Sequence, residues 1–137
     1  MTEAELYDHL QRTFGIGDWD EATATMPWWR FRANEIAKLK AMLKRRGATV
    51  EQVYAAAEYA QEEGRAVRAT YQLFALIPEA MTARRNKARA ADAARAAAEI
   101  EEAMAEAMDE GNHEWVDRFL RVSPSEAAAV ITEWRNR

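Results

Sequence analysis

Cysteine is absent from the chain of 137 residues. That excludes disulfides, thiolate zinc sites and cysteine nucleophiles together. There are only three prolines and five glycines, so few points oblige the backbone to turn. The two histidines, His9 and His113, stand far apart and leave little for imidazole chemistry. No apolar run approaches the ~20 residues a helix needs to cross a bilayer. The acidic start, Met1-Thr2-Glu3-Ala4-Glu5, has no apolar signal core. The expectation is a cytoplasmic protein with no membrane partner.

The length fits one domain, which could bury about two-thirds of its unfolded surface. Apolar residues make up 49% of the chain, but many are alanines that bury little area. The core must lean on Leu, Ile, Val, Met and the aromatic rings, including five tryptophans.

The patterning is helical throughout, and the expected class is all-α: a bundle of five to seven helices. Thr2 and Glu5 have capping-box spacing, Leu6, Leu10 and Phe14 recur on one face, and Gly15 stops the run; helix 3–14 follows. A loop from Gly15 to Pro27 carries Trp19 among Asp18, Asp20 and Glu21, with the ring available to pack across the domain. A second helix is expected over 27–46, with Pro27 in its first turn and Gly47 at its end. Thr49 and Gln52 repeat the capping box and open a third helix that Gly64 closes. A fourth is read over 65–77, broken or kinked at Pro78. An alanine-rich segment from Glu79 to Glu110 reads as one long helix, followed by a C-terminal hairpin: Asn112 caps one short helix, and Ser123-Pro124-Ser125-Glu126 starts another. The organisation expected is a bundle over 1–78, a long helix over 79–110 and a hairpin over 111–137.

Against a net charge of −4, one block stands out. Trp28-Trp29-Arg30-Phe31-Arg32 continues through Lys38, Lys40, Lys44, Arg45 and Arg46, giving seven cations and the single anion Glu35 between Trp28 and Val50. At 3.6 residues per turn, Trp28, Phe31, Ile36, Leu39, Met42 and Leu43 share one side, and Arg30, Lys38, Lys40, Lys44 and Arg45 the other. Trp28 is read as core, while Trp29 stands at the edge of the apolar stripe. A concentrated positive field faces something negative: nucleic acid, an acidic protein, or an acidic stretch of this same chain. For nucleic acid, the contact set is Trp29, Arg30, Lys38, Lys40, Lys44 and Arg45. Helices two and three have helix-turn-helix spacing, but the second of the pair carries Glu51, Glu58, Glu62 and Glu63 and no cation; the ordinary hairpin reading is preferred.

The long helix has its charges segregated. Residues 80–98 hold five cations and Asp92; residues 99–117 hold eight carboxylates and no Lys or Arg. A helix dipole favours the opposite order, so something else must compensate. Ala90, Ala94, Ala97, Ile100, Met104 and Met108 form a seam, and an antiparallel pair would set Arg84–Arg95 against Glu99–Glu110. Arg84, Arg85, Arg89, Ala97, Ile100, Met104 and Met108 are therefore the candidate partner or homodimer residues. The alternative is an arm folded onto its own hairpin.

Signals for catalysis are poor. His113-Glu114-x-x-Asp117 lacks the second histidine of a zinc-protease helix, and Asp18, Asp20 and Glu21 fail the calcium-loop pattern. No phosphate-cradling glycine loop or nucleophile elbow occurs. No enzyme, cofactor or metal is expected.

Trp28-Trp29 followed by Ala33-Asn34-Glu35-Ile36-Ala37-Lys38-Leu39, then Arg45-Arg46-Gly47 and Val53-Tyr54-Ala55-Ala56-Ala57-Glu58-Tyr59-Ala60, resembles small helical proteins of actinobacterial phages. It is also similar to helical modules of phage replication-organiser and helicase-loading proteins. The resemblance covers about residues 27–81 and carries no functional residue across. It implies action in a bacterial host cytoplasm, near DNA or a host protein. The functional expectation is a non-enzymatic accessory protein that associates with nucleic acid through its basic-aromatic helix. The alternatives are a module that binds or inhibits a host protein, or an assembly protein, through the long helix.

Overall fold

A computed structural model describes all 137 residues as six α-helices: α1 (Glu3–Phe14), α2 (Trp28–Arg46), α3 (Val50–Glu62), α4 (Thr70–Asp109), α5 (His113–Leu120) and α6 (Ala127–Arg135). The all-α class is as the periodicity predicts. The start signals of α1 and α3 operate as expected. Thr2 and Glu5, then Thr49 and Gln52, form reciprocal capping boxes that satisfy otherwise orphaned first-turn amides. Gly15 and Gly47 close α1 and α2 at φ of 72° and 63°, a left-handed conformation that side chains with a Cβ avoid.

Four expected boundaries differ. Pro27 is the residue before α2 rather than part of its first turn. The fourth helix does not start at 65: residues 65–69 are non-helical, with Gln72 Oε1 accepting from the amides of Arg68 and Ala69 (2.6 and 3.3 Å). Pro78 breaks nothing. The helix runs through it, because proline's fixed φ is helical and the flanking Leu73, Phe74 and Ala80 are all buried in one core. Packing on both sides outweighs the one lost hydrogen bond. Downstream, Ser123 does not cap α6: residues 124–126 form a turn in which Glu126 N–H donates to the Ser123 carbonyl, and α6 begins at Ala127.

The chain divides into two compact units, Met1–Arg84 and Arg85–Arg137, with the boundary inside α4. In the first, α1 packs on α2 and α3. Leu6, Leu10, Val53 and Leu73 are fully buried. Three consecutive alanines of α3, Ala55, Ala56 and Ala57, are also buried, so α3 is enclosed on most of its circumference. In the second unit, the end of α4 buries Ala103 and Ala107 under the hairpin. There Trp115, Phe119 and Trp134 form a triangle of rings with centroids 5.3–5.5 Å apart, a geometry worth more than its area alone.

Candidate nucleic-acid interface

The basic block of α2 separates into anchored and unanchored cations. Arg32 turns toward α1 and grips Asp8 with two nitrogens, Nε to Oδ1 at 3.1 Å and Nη2 to Oδ2 at 2.8 Å. These hydrogen bonds hold the Asp8 carboxyl below its ordinary pKa, against a smaller opposing effect of burial. Arg46 lies over the Phe74 ring, 5.4 Å from its centroid. Lys38 meets Glu35 at 3.2 Å, but its side chain stays 72% exposed, the kind of surface pair that contributes about 0–1 kcal/mol. Arg30, Lys40, Lys44 and Arg45 are exposed and form no ion pair with any carboxylate of the chain.

These four cations share one face. At about 100° per residue, Trp29, Lys40, Lys44, Arg30 and Arg45 fall within an arc of about 160°, with Ala33, Ala37 and Ala41 between them. The small alanines leave the long cationic side chains standing clear of the helix. From Trp29 to Arg45 the face runs about 24 Å at 1.5 Å per residue. Glu35, the only acid of α2, is half-buried on the inner side near Gly17. Beside Lys40 and Lys44 lies a shallow groove of about 520 Å³, bordered by Glu3, Ala37, Ala41, Thr49 and Val50. Glu3 is its one carboxylate, and the first turn of α3 adds partial positive charge to its floor.

Trp28 is not core. It is 58% exposed and Trp29 62%. Periodicity correctly gives the side of α2 on which Trp28 lies, but no neighbouring element covers that first turn; Arg32, one turn later, is where this side meets α1. The other three tryptophans are engaged. Trp19 donates from Nε1 to the Met26 carbonyl at 3.0 Å, closing its own loop rather than packing across the domain. Trp115 and Trp134 belong to the ring triangle.

The α2–α3 pair is a helical hairpin and not a groove reader. Ala55–Ala57 are buried, the exposed side of α3 carries Glu51 and Glu62, which phosphates would repel, and Glu58 is held by Arg84 at 2.9 Å. Burial alone would raise the Glu58 carboxyl, yet hydrogen bonds from Arg84 and Tyr54 take it net below the usual carboxylate range.

The partner residues read from the long helix are not brought onto one seam. Arg84 is bound to Glu58 within the first unit, and Arg85 is also engaged. Arg89 and Ala97 are exposed, Ile100 and Met104 are half-buried beneath the hairpin, and Met108 is 59% exposed. The packed residues are Ile100 and Met104 of the expected seam together with Ala103 and Ala107, so the packed face is rotated from that seam. The charge mismatch of α4 is answered by the tail. Arg135 lies 3.8 Å from Glu99, Arg137 takes Glu110 through both terminal nitrogens, and Trp134 Nε1 donates to Glu106 at 3.2 Å.

His113, Glu114 and Asp117 are exposed on α5, and no three His, Asp or Glu side chains anywhere converge as a metal cluster. No helix is long and apolar enough to cross a membrane. No family model, curated protein or solved structure matches the chain.

Proposed function

We propose that this is a non-enzymatic accessory protein that associates with nucleic acid through the outward face of α2. The observation that carries the reading is the set Arg30, Lys40, Lys44 and Arg45: four cations on one face that no carboxylate of the chain neutralises. Phosphates supply the matching charge at regular spacing, and neutralising them releases condensed counterions. Such contacts position a protein without reading sequence. The enclosed, acid-bearing α3 offers no second element for base readout, so binding should be sequence-tolerant. Replication or regulation in a phage-infected bacterial cytoplasm is the setting the sequence resemblance suggests.

The test is a fluorescence-anisotropy titration across salt. Binding should weaken linearly on a log–log plot, and each cation replaced by glutamine should shallow the slope by roughly 0.7–0.9. No binding at low salt would remove the reading.

A second reading concerns α4. Glu101 and Asp109 are exposed on α4 with no ion pair, and Arg89 is exposed on the same helix. A second copy laid antiparallel would bring those opposite charges together. Light scattering during size exclusion at rising concentration tests this; a monomer throughout excludes it.

A further inference from the structure

The phosphate reading leaves the two exposed tryptophans unused. Trp28 and Trp29 open α2, and neither ring stacks on another ring, lies under a cation, or is covered by a neighbouring element. Two adjacent indoles in water are costly to keep bare. Trp29 stands on the same face as Lys40 and Lys44, and Arg30 follows directly. The face therefore offers flat aromatic surface at one end and a row of cations along the rest.

We infer that the ligand of this face is single-stranded nucleic acid, with Trp29 on the face as a stacking platform for an unpaired base, Trp28 beside it around the exposed first turn as a second, and the cations tracking the strand's phosphates. The inference rests on the phosphate reading above and narrows it. In a duplex the faces of the bases are already stacked on one another and closed to an indole, so only the cations would be used. In a single strand both halves of the face are used at once. Stacking tolerates any base, because every base has a π-face. That agrees with the lack of a readout element. The short reach of the face, about 24 Å, suits a stretch of a few nucleotides rather than a long wrapped path.

The experiment compares three labelled probes of equal length at one low salt concentration: a mixed-sequence single strand, the same sequence as a duplex, and a single strand made of abasic sites. Three proteins are titrated: wild type, Trp28→Ala/Trp29→Ala, and Trp28→Phe/Trp29→Phe. Both rings are exposed, so circular dichroism should be unchanged in either variant. Wild type should prefer the single strand over the duplex and the abasic strand. The alanine variant should bind the single strand roughly tenfold or more weakly, with duplex and abasic affinities unmoved. The phenylalanine variant should recover part of the loss. Equal or tighter duplex binding that ignores the tryptophans would overturn the single-strand inference while leaving the phosphate reading in place. If none of the three probes binds, both fall, and the face is left to an acidic protein partner.

Discussion

Two helices of this protein carry long runs of one charge, and the runs meet opposite ends. The acidic end of α4 is met from the tail, where Arg135, Arg137 and the Trp134 indole reach Glu99, Glu110 and Glu106. The basic run of α2 is met only at Arg32, by Asp8, and at Lys38, by its own neighbour Glu35. The difference lies in the opposing element rather than in the runs themselves. The hairpin that covers α4 ends in arginines, whereas the exposed arc of α2 is covered by nothing. A charge run is structural where a counter-charged segment packs on it and available where none does.

The comparison can be broken from either side. The largest effect is expected from removing the ring that anchors the tail. Trp134→Ala should cost the second unit about 3–5 kcal/mol, read by chemical denaturation, and should leave nucleic-acid affinity unchanged. An equally large loss of that affinity would mean the two regions are not separable in function. The opposite pattern is expected of Lys40→Gln/Lys44→Gln/Arg45→Gln. Its stability should stay within roughly 0.5 kcal/mol per substitution, while its salt slope falls by roughly 2–3 in total. Thr49→Ala removes the cap of α3 and should cost about 1 kcal/mol, with thermal melting as the measure. Arg137→Ala, which releases Glu110 at an exposed site, should cost no more than about 1 kcal/mol; high salt should shrink the difference from wild type.

Acid sharpens the contrast further. The Asp8 carboxyl titrates below its ordinary value because Arg32 hydrogen-bonds its charged form. The stabilisation is therefore complete above the unfolded-state pKa of about 3.9 and is lost as pH falls through the lower folded-state value. Asp8→Asn should melt below wild type at neutral pH, and the gap should close as the pH is taken toward 2–3. A gap that persists unchanged in acid would show that the ion pair is not its source.

Much of this architecture was legible in local signals. Capping boxes at Thr2 and Thr49, the caps at Gly15, Gly47 and Asn112, and the 3.6-residue stripes depend on residues within a few positions of one another, and they placed α1, α2, α3 and α5 closely. What depended on distant packing was not legible. Pro78 carries a breaking signal that the buried Leu73, Phe74 and Ala80 override. Ser123 carries a starting signal, but the chain first makes a turn. The packed face of α4 is set by where the hairpin lands, on Ala103 and Ala107, and alanines occur on every side of that helix. At the candidate interface the cationic face was readable. Trp28 was not, since a stripe tells which way a side chain points and not whether anything waits there. Nor could spacing reveal that Arg32 leaves the basic set for Asp8, a partner 24 residues earlier.

The grip of Arg32 on Asp8 has a further bearing on α2. A two-pronged guanidinium–carboxylate contact tolerates little rotation, so it adds a directional restraint on the roll of the helix to that of the buried Leu39 and Leu43. The cations on the far side take their heading from both. A change at Asp8, on another helix and remote from those cations, would thus loosen the aim of the whole row without touching one of its members.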